Sequence, residues 1–375
     1  MMKKILLGTS AIVGASVLLA APVWAAEKPK LEMDGYLRFE AWGSDQDIAP
    51  NDNSRGVGFQ MDDVEIHFRG SAKADNGLEY GFYVELQEGG SDSKVGYDEA
   101  NVFLSGGWGR LEMGSQDGVH NTWKLGAWSI SADKDGAWDG DNGSTMIGGM
   151  NSAYVNTDFF GGDDANKISY YTPSFSGFQL AVSYTPDTGD QFNSDFSTDV
   201  GTGGIKGTQS NQIGVAGRYV ATFNDVGVEA NVRYVRGDYE GNGTIEYEDA
   251  EAYGGGLKIS YAGFSVAGSY QDQGDSGLTT ANKDLGHDAG SWWDVGVAYK
   301  TGPYGVSVVY MQSEANDGGA DDDEVKWLQV GGGYAAAPGL DLYVAYRYID
   351  LDDGGTDDSK DSEANMFLVG TQVSF

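Results

Sequence analysis

The sequence predicts an all-β chain closed into a transmembrane antiparallel β-barrel of about sixteen strands. Three observations predict it. First, the segment Asn365 to Phe375 alternates: Phe367, Val369, Thr371, Val373 and Phe375 share one face, because side chains in a strand repeat every two residues. That face ends on a bare aromatic, which suits a barrel whose outer wall meets hydrocarbon and whose rim sits in an aromatic girdle. Second, strand-like runs close on tyrosine, and from Tyr219 to Tyr346 the intervals are 15, 27, 9, 29, 11, 24 and 12 residues. Short and long alternate, as tight turns on one side of a membrane and long loops on the other require. Third, beyond the amino terminus no segment approaches the ~20 apolar residues of a spanning helix, so insertion must use strands.

Taken in order, Met1 to Ala25 reads as a secretory leader. Lys3 and Lys4 give a positive start, Ile5 to Ala21 is apolar, and Val23-Trp24-Ala25 supplies a cleavage-like site. Residues 26–375 then form the barrel domain. Its strands are expected at about 31–43, 59–70, 78–88, 97–104, 109–115, 166–172, 177–185, 212–222, 228–236, 253–261, 264–271, 292–300, 304–313, 325–334, 340–350 and 364–375. In the third, Leu78, Tyr80, Phe82, Val84 and Leu86 oppose Glu79, Gly81, Tyr83, Glu85 and Gln87. In the fifteenth, Leu340, Leu342, Val344, Tyr346 and Tyr348 oppose Asp341, Tyr343, Ala345, Arg347 and Ile349. The apolar set is expected to face lipid and the other set a wet lumen, too wide at sixteen strands for side chains to fill. Tyr219, Tyr261, Tyr299 and Tyr334 precede short turns such as Ala262-Gly263 and would form one girdle. Tyr184, Tyr234, Tyr270, Tyr310 and Tyr346 precede long loops and would form the other.

Composition excludes several classes of function. The formal net charge is −34 and loss of Lys3 and Lys4 makes it −36, so nucleic-acid phosphates would be repelled. With no cysteine, disulfides, zinc–thiolate sites and cysteine nucleophiles are out. Gly at 58 and Tyr at 22 against only 7 Pro suits strands, turns and aromatic belts rather than disorder. Enzyme motifs are lacking. His67, His120 and His287 are the only histidines, and none stands in an H-E-x-x-H spacing. His67 falls on the lumen register beside Glu65. Gly201 to Gly207 is glycine-rich but reads as loop, with no strand leading into a helix.

Three stretches carry a family resemblance: Gly109-Arg-Leu-Glu-Met-Gly-Ser-Gln116, then Lys167-Ile-Ser-Tyr-Tyr-Thr-Pro-Ser-Phe-Ser-Gly-Phe178, then the terminal Phe375. In this order the chain resembles the Gram-negative general-diffusion porins, in particular the alphaproteobacterial type. The resemblance implies an outer-membrane homotrimer of sixteen-stranded barrels, each with a constriction loop folded inward after the fifth strand. It also implies that the barrel-assembly machinery reads Phe375, and that the partners are outer-membrane lipid, lipopolysaccharide, small solutes and cations. The chain departs from the family in being more acidic, which bears on selectivity.

The loop from about 115 to 166 holds Asp117, Asp133, Asp135, Asp139, Asp141, Asp158, Asp163 and Asp164 against Lys124 and Lys134. By the resemblance it narrows the pore, and Asp133, Asp135, Asp139, Asp141 and Asp158 are the carboxylates it would hang there. Carboxylate rings favour cations. Trp123, Trp128 and Trp138 suit packing against a wall. The family's opposing basic wall would draw on Arg38, Arg69 and Arg218, with Arg233 and Arg347 as further options; Glu65, Glu79 and Glu85 lie on predicted lumen faces and weaken it. No cofactor is expected. Calcium at Asp321, Asp322 and Asp323 is an alternative to a merely solvated acidic loop. The expected function is a passive, cation-preferring channel for small hydrophilic solutes. The rivals are a substrate-specific channel for sugars or a metal chelate, of which Trp42, Tyr83 and Trp123 would be an aromatic trace, and a non-conducting structural or adhesion barrel.

Overall fold

The computed structural model describes residues 28–47, 56–89, 94–134, 159, 164–191, 209–239, 245–316, 318, 322–352, 354 and 361–375. Sixteen strands follow one another: β1 Lys30–Asp47, β2 Val57–Lys73, β3 Glu79–Gly89, β4 Lys94–Gly106, β5 Gly109–Ser115, β6 Asn166–Tyr171, β7 Phe178–Asp187 and β8 Ser210–Phe223. The second half comprises β9 Val226–Asp238, β10 Ala250–Tyr261, β11 Phe264–Asp272, β12 Asp288–Thr301, β13 Tyr304–Asn316, β14 Asp323–Ala337, β15 Leu340–Asp352 and β16 Ser362–Ser374. Each strand pairs with its sequence neighbours, and β1 closes on β16, giving a closed antiparallel barrel. Closure satisfies every strand edge, the condition for a sheet to sit in hydrocarbon. Phe375 completes the seam: its N–H donates to the Gly35 carbonyl at 3.0 Å, and the Gly35 N–H donates back at 3.3 Å.

All sixteen expected strands are present. Several run further than their hydrophobic alternation, and on the long-loop side. β1 continues to Asp47, β8 begins at Ser210, β12 at Asp288 and β14 at Asp323. Alternation marks only the part that touches lipid, whereas ladder hydrogen bonds persist into water once the sheet exists. At the other end the turns are tight. Ala262 (φ 49°) and Gly263 (φ 88°) both take left-handed backbone between β10 and β11, as a two-residue hairpin turn matched to strand twist demands.

Side chains sort as the period of two requires. Val295 and Val297 on β12, Val306 and Val308 on β13, and Leu342 and Val344 on β15 lie exposed on the outside. Between them Asp294, Ser307, Tyr343 and Arg347 are buried on the inside. Both girdles form as cross-strand aromatic pairs. On the short-turn side, Phe178–Tyr219 and Phe264–Tyr299 have ring centroids 4.4 Å apart, and Tyr304–Tyr334 5.1 Å. On the long-loop side, Trp293–Tyr310 and Tyr346–Phe367 stand at 5.4 and 5.1 Å. Such pairs add about 0.5–1.5 kcal/mol each beyond burial.

The wall of the lumen is not uniformly polar. The inner faces of β12 to β16 carry an apolar cluster that includes Trp292, Met311, Trp327, Ile349, Met366 and Leu368, with Trp128 and Ile130 of the loop after β5 packed on it. The loop supplies the apolar partner that side chains of the wall could not reach by themselves. Among the described residues no helix is long and apolar enough to cross a membrane.

Candidate functional site

The loop after β5 leaves the long-loop end of the barrel and runs inward along the wall. A one-turn helix, α1 (Val119–Thr122), lies against β7, β8 and β9, and a 3-10 turn at Ala127–Ile130 lies against β11, β12 and β13. Inward-facing polar side chains hold its backbone. The Val119 N–H donates to Ser183 Oγ at 3.3 Å, the Ala127 N–H to Asp294 Oδ2 at 2.9 Å and the Ala132 N–H to Ser307 Oγ at 2.8 Å. Arg233 donates to the His120 carbonyl at 2.9 Å, and Asn231 donates to the Trp123 carbonyl. The wall is cut away where the loop touches it. A Cβ at Gly214, Gly256 or Gly333 would collide with His120 Nδ1, the Leu125 carbonyl or the Ala132 carbonyl respectively.

At the loop's root, the Asp117 N–H donates to Glu99 Oε1 at 3.1 Å, and Lys167 donates to the Ala165 carbonyl at 2.8 Å. His120 is fully buried, stacked 6.0 Å from Phe159, with neither ring nitrogen hydrogen-bonded among the described residues. Burial, then Lys167 and Arg233 nearby, hold its pKa down at about 3. The unfolded imidazole titrates near 6.5. Between those values the unfolded chain takes a proton that the folded one refuses, so stability falls as pH drops below about 6.5. The loss is at most about 1.4 kcal/mol per pH unit. Urea unfolding of wild type and His120→Leu at pH 7 and pH 5 checks this: the substitution should flatten the slope, and equal slopes would exclude the mechanism.

The described part of the loop, residues 116–134, borders a cavity on the β1–β6 side. This cavity, of about 650 Å³, lies between that wall and loop residues Gln116, Asp117, Asn121, Thr122, Lys124 and Trp128. Among the described residues five carboxylates line it, Glu32, Glu79, Glu99, Glu112 and Asp117, against three cations, Arg69, Arg110 and Lys124. Arg110 is split between Glu112, at 2.5 Å, and the face of Phe103, at 3.7 Å from the ring centroid. A second recess of about 390 Å³ adjoins it, lined by Trp123, Tyr171, Arg110, Glu112, Gln179 and Arg218.

The residues singled out from sequence fall in different places. Arg69 lines the cavity, paired with Asp34 and lying over the Tyr83 ring. Arg218 donates to Gln179 at 2.9 Å and lies over Trp123 of the loop at 4.9 Å. Arg38 is buried and paired with Asp63 at 3.1 Å. A β-bulge places that partner: the β1–β2 register shifts at Tyr36/Arg38, Asp63 has φ 52°, and its carboxylate turns under both side chains. Asp133 is buried against the opposite wall, accepting from Gln329 at 2.8 and 3.0 Å, with Arg347 at 3.9 Å. Asp135, Asp139, Asp141, Asp158 and Asp321 lie outside the described residues. Asp322 accepts from Asn316 at 2.8 Å, and Asp323 is buried at the start of β14. Glu32, Glu99, Arg110 and Glu112 were not singled out. Their strand parity was readable, since Arg110 and Glu112 flank Leu111, but which wall the loop leaves open was not.

A family model described as Gram-negative porin matches residues 8–354. An uncharacterized protein of Rickettsia conorii is 23% identical over an alignment that spans the whole of both chains. A Halomonas sp. protein named monosaccharide porin is 24% identical, over 98% of this chain and 90% of its own. Among solved structures, an anion-selective porin from Comamonas acidovorans superposes with a TM-score of 0.59 at 17% identity, over 92% of this chain and 100% of its own.

Proposed function

The chain belongs to the Gram-negative porin family, and on that footing we propose that it is a cation-preferring passive channel for small hydrophilic solutes. The family and the sixteen-stranded barrel support an outer-membrane diffusion channel. The preference for cations rests on one observation, the excess of carboxylates around the 650 Å³ cavity beside the loop. Fixed negative charge in a water-filled constriction raises the local concentration of cations and lowers that of anions. The zero-current potential across a salt gradient in a planar bilayer tests this reading: the sign of cation preference supports it, and anion preference or a non-conducting barrel overturns it.

Further parts of the reading follow the family resemblance. Met1 to Ala25 is removed on export, the barrel assembles as a homotrimer, and divalent cations shared with lipopolysaccharide ease repulsion among its acidic loops. Phe375 is the assembly signal. Its ring is half exposed on the outer face beside Gly35, and its backbone closes the seam. Deleting Phe375 should lower the amount of barrel in outer-membrane fractions several-fold, while channels that do assemble conduct normally. Unchanged levels would remove this role.

A second reading, a sugar-selective channel, is favoured by the smaller recess. Trp123 and Tyr171 rings lie 5.6 Å apart there, with Arg218 and Gln179 beside them. Aromatic faces for a sugar ring and polar groups for its hydroxyls are the chemistry such a solute needs. Block of ion current by millimolar monosaccharide, lost in Trp123→Ala, would support it.

A further inference from the structure

One cluster on the inner wall is not used by the channel reading. His67 on β2 stands among carboxylates from three strands. Its Nε2 lies 2.8 Å from Glu65 Oε2 and 3.6 Å from Glu85 Oε2, and its Nδ1 lies 2.8 Å from Asp34 Oδ1. Arg69 reaches both Asp34 and, at 3.1 Å, the same Nδ1. The Tyr83 hydroxyl donates to Glu85 Oε2. His67, Glu65 and Glu85 side chains are only 10%, 14% and 11% exposed.

The charges of this cluster, among the described residues, leave a positive charge to be supplied. A neutral imidazole has one ring proton. Placed on Nδ1 it satisfies Asp34, and the Nε2 lone pair then faces two carboxylate oxygens. Placed on Nε2 it satisfies Glu65, and the Nδ1 lone pair accepts from Arg69. In either form three ionised carboxylates against Arg69 leave the group two charges negative. A divalent cation balances that charge. With Nδ1–H bonded to Asp34, Nε2 is a ligand held by a carboxylate behind it, the arrangement that orients metal-binding histidines.

We infer that Glu65, His67 and Glu85 form a binding site on the pore wall for a borderline divalent transition-metal ion such as Zn²⁺. Their ligand atoms all lie within 4.8 Å of one another. Ligands about 2.0–2.2 Å from a tetrahedral ion stand about 3.4 Å apart, so small side-chain shifts bring the three into place. Imidazole nitrogen selects zinc, copper or nickel over calcium and magnesium, which prefer all-oxygen shells. Arg69 and Tyr83 line the 650 Å³ cavity, so ions passing through the pore reach the cluster, and lumen water completes the shell.

The test is equilibrium dialysis of the refolded barrel against Zn²⁺ in excess Ca²⁺, which saturates the acidic loops. Wild type should retain one Zn²⁺ per chain and His67→Gln none. Asp34→Asn, which removes the carboxylate behind the histidine and its ion pair with Arg69, should weaken binding about 10–100-fold. Refolding of each variant is checked by its heat-modifiable migration. Equal Zn²⁺ uptake in wild type and His67→Gln, or no uptake above the calcium background, overturns the site. Binding is read without any conductance measurement, so this outcome is independent of the channel reading.

Discussion

Replacing Glu32 and Glu79 by Gln and Asp117 by Asn should turn the channel from cation-preferring to weakly anion-preferring at low salt. Among the described residues the cavity beside the loop has five carboxylates and three cations on its lining. The triple variant leaves Glu99 and Glu112 against Arg69, Arg110 and Lys124, so the local excess changes sign. Each replacement keeps the shape of the side chain. Glu99 is left alone because it accepts the Asp117 N–H and pins the root of the loop. Fixed charges act over about 10 Å at 0.1 M salt and about 30 Å at 0.01 M. The shift in zero-current potential should therefore be large in dilute salt and shrink towards 1 M. The reverse salt trend, or an unchanged potential, would place the selectivity filter elsewhere in the barrel. Asp133→Asn serves as the contrast. Its carboxylate is committed to Gln329 and Arg347 on the far wall, so it should alter stability more than selectivity. The fold itself does not dictate the sign, since an anion-selective porin shares it.

An arginine on the lipid face should be far costlier than one on the lumen face. Val308 is 45% exposed on the outside of β13, paired with Val297 and Val330, between the girdle tyrosines Tyr304 and Tyr310. Val308→Arg places a guanidinium in the middle of the apolar band and should cost about 2–4 kcal/mol. Glu79→Arg, on β3 at the cavity, enters water and should stay within about 0.5 kcal/mol while moving the zero-current potential towards anions. Urea unfolding in lipid vesicles measures the first effect, and bilayer recording the second. A reversed order of costs would mean that inside and outside have been exchanged, and equal costs would overturn the assignment of faces.

The barrel is legible in the chain's local pattern. Period-two alternation, alternating tyrosine spacing and turn pairs such as Ala262-Gly263 are local signals, and each strand pairs with its sequence neighbours, so local signals add up to the whole sheet. The inside–outside assignment followed because water and hydrocarbon read opposite parities of the same strand. What lies against the inner wall became readable with the strands in place. The loop after β5 is held by Ser183, Asn231, Asp294 and Ser307, which come from four strands and have no sequence proximity to it. Its course depends on glycines that mean nothing until a carbonyl arrives at Gly256 or Gly333. Asp133 and Asp117 look alike in the sequence, yet one is buried against Gln329 and Arg347 while the other lines the cavity. A carboxylate's role is set by the partner within a few ångströms of it, and in a closed barrel that partner can come from any strand across the lumen.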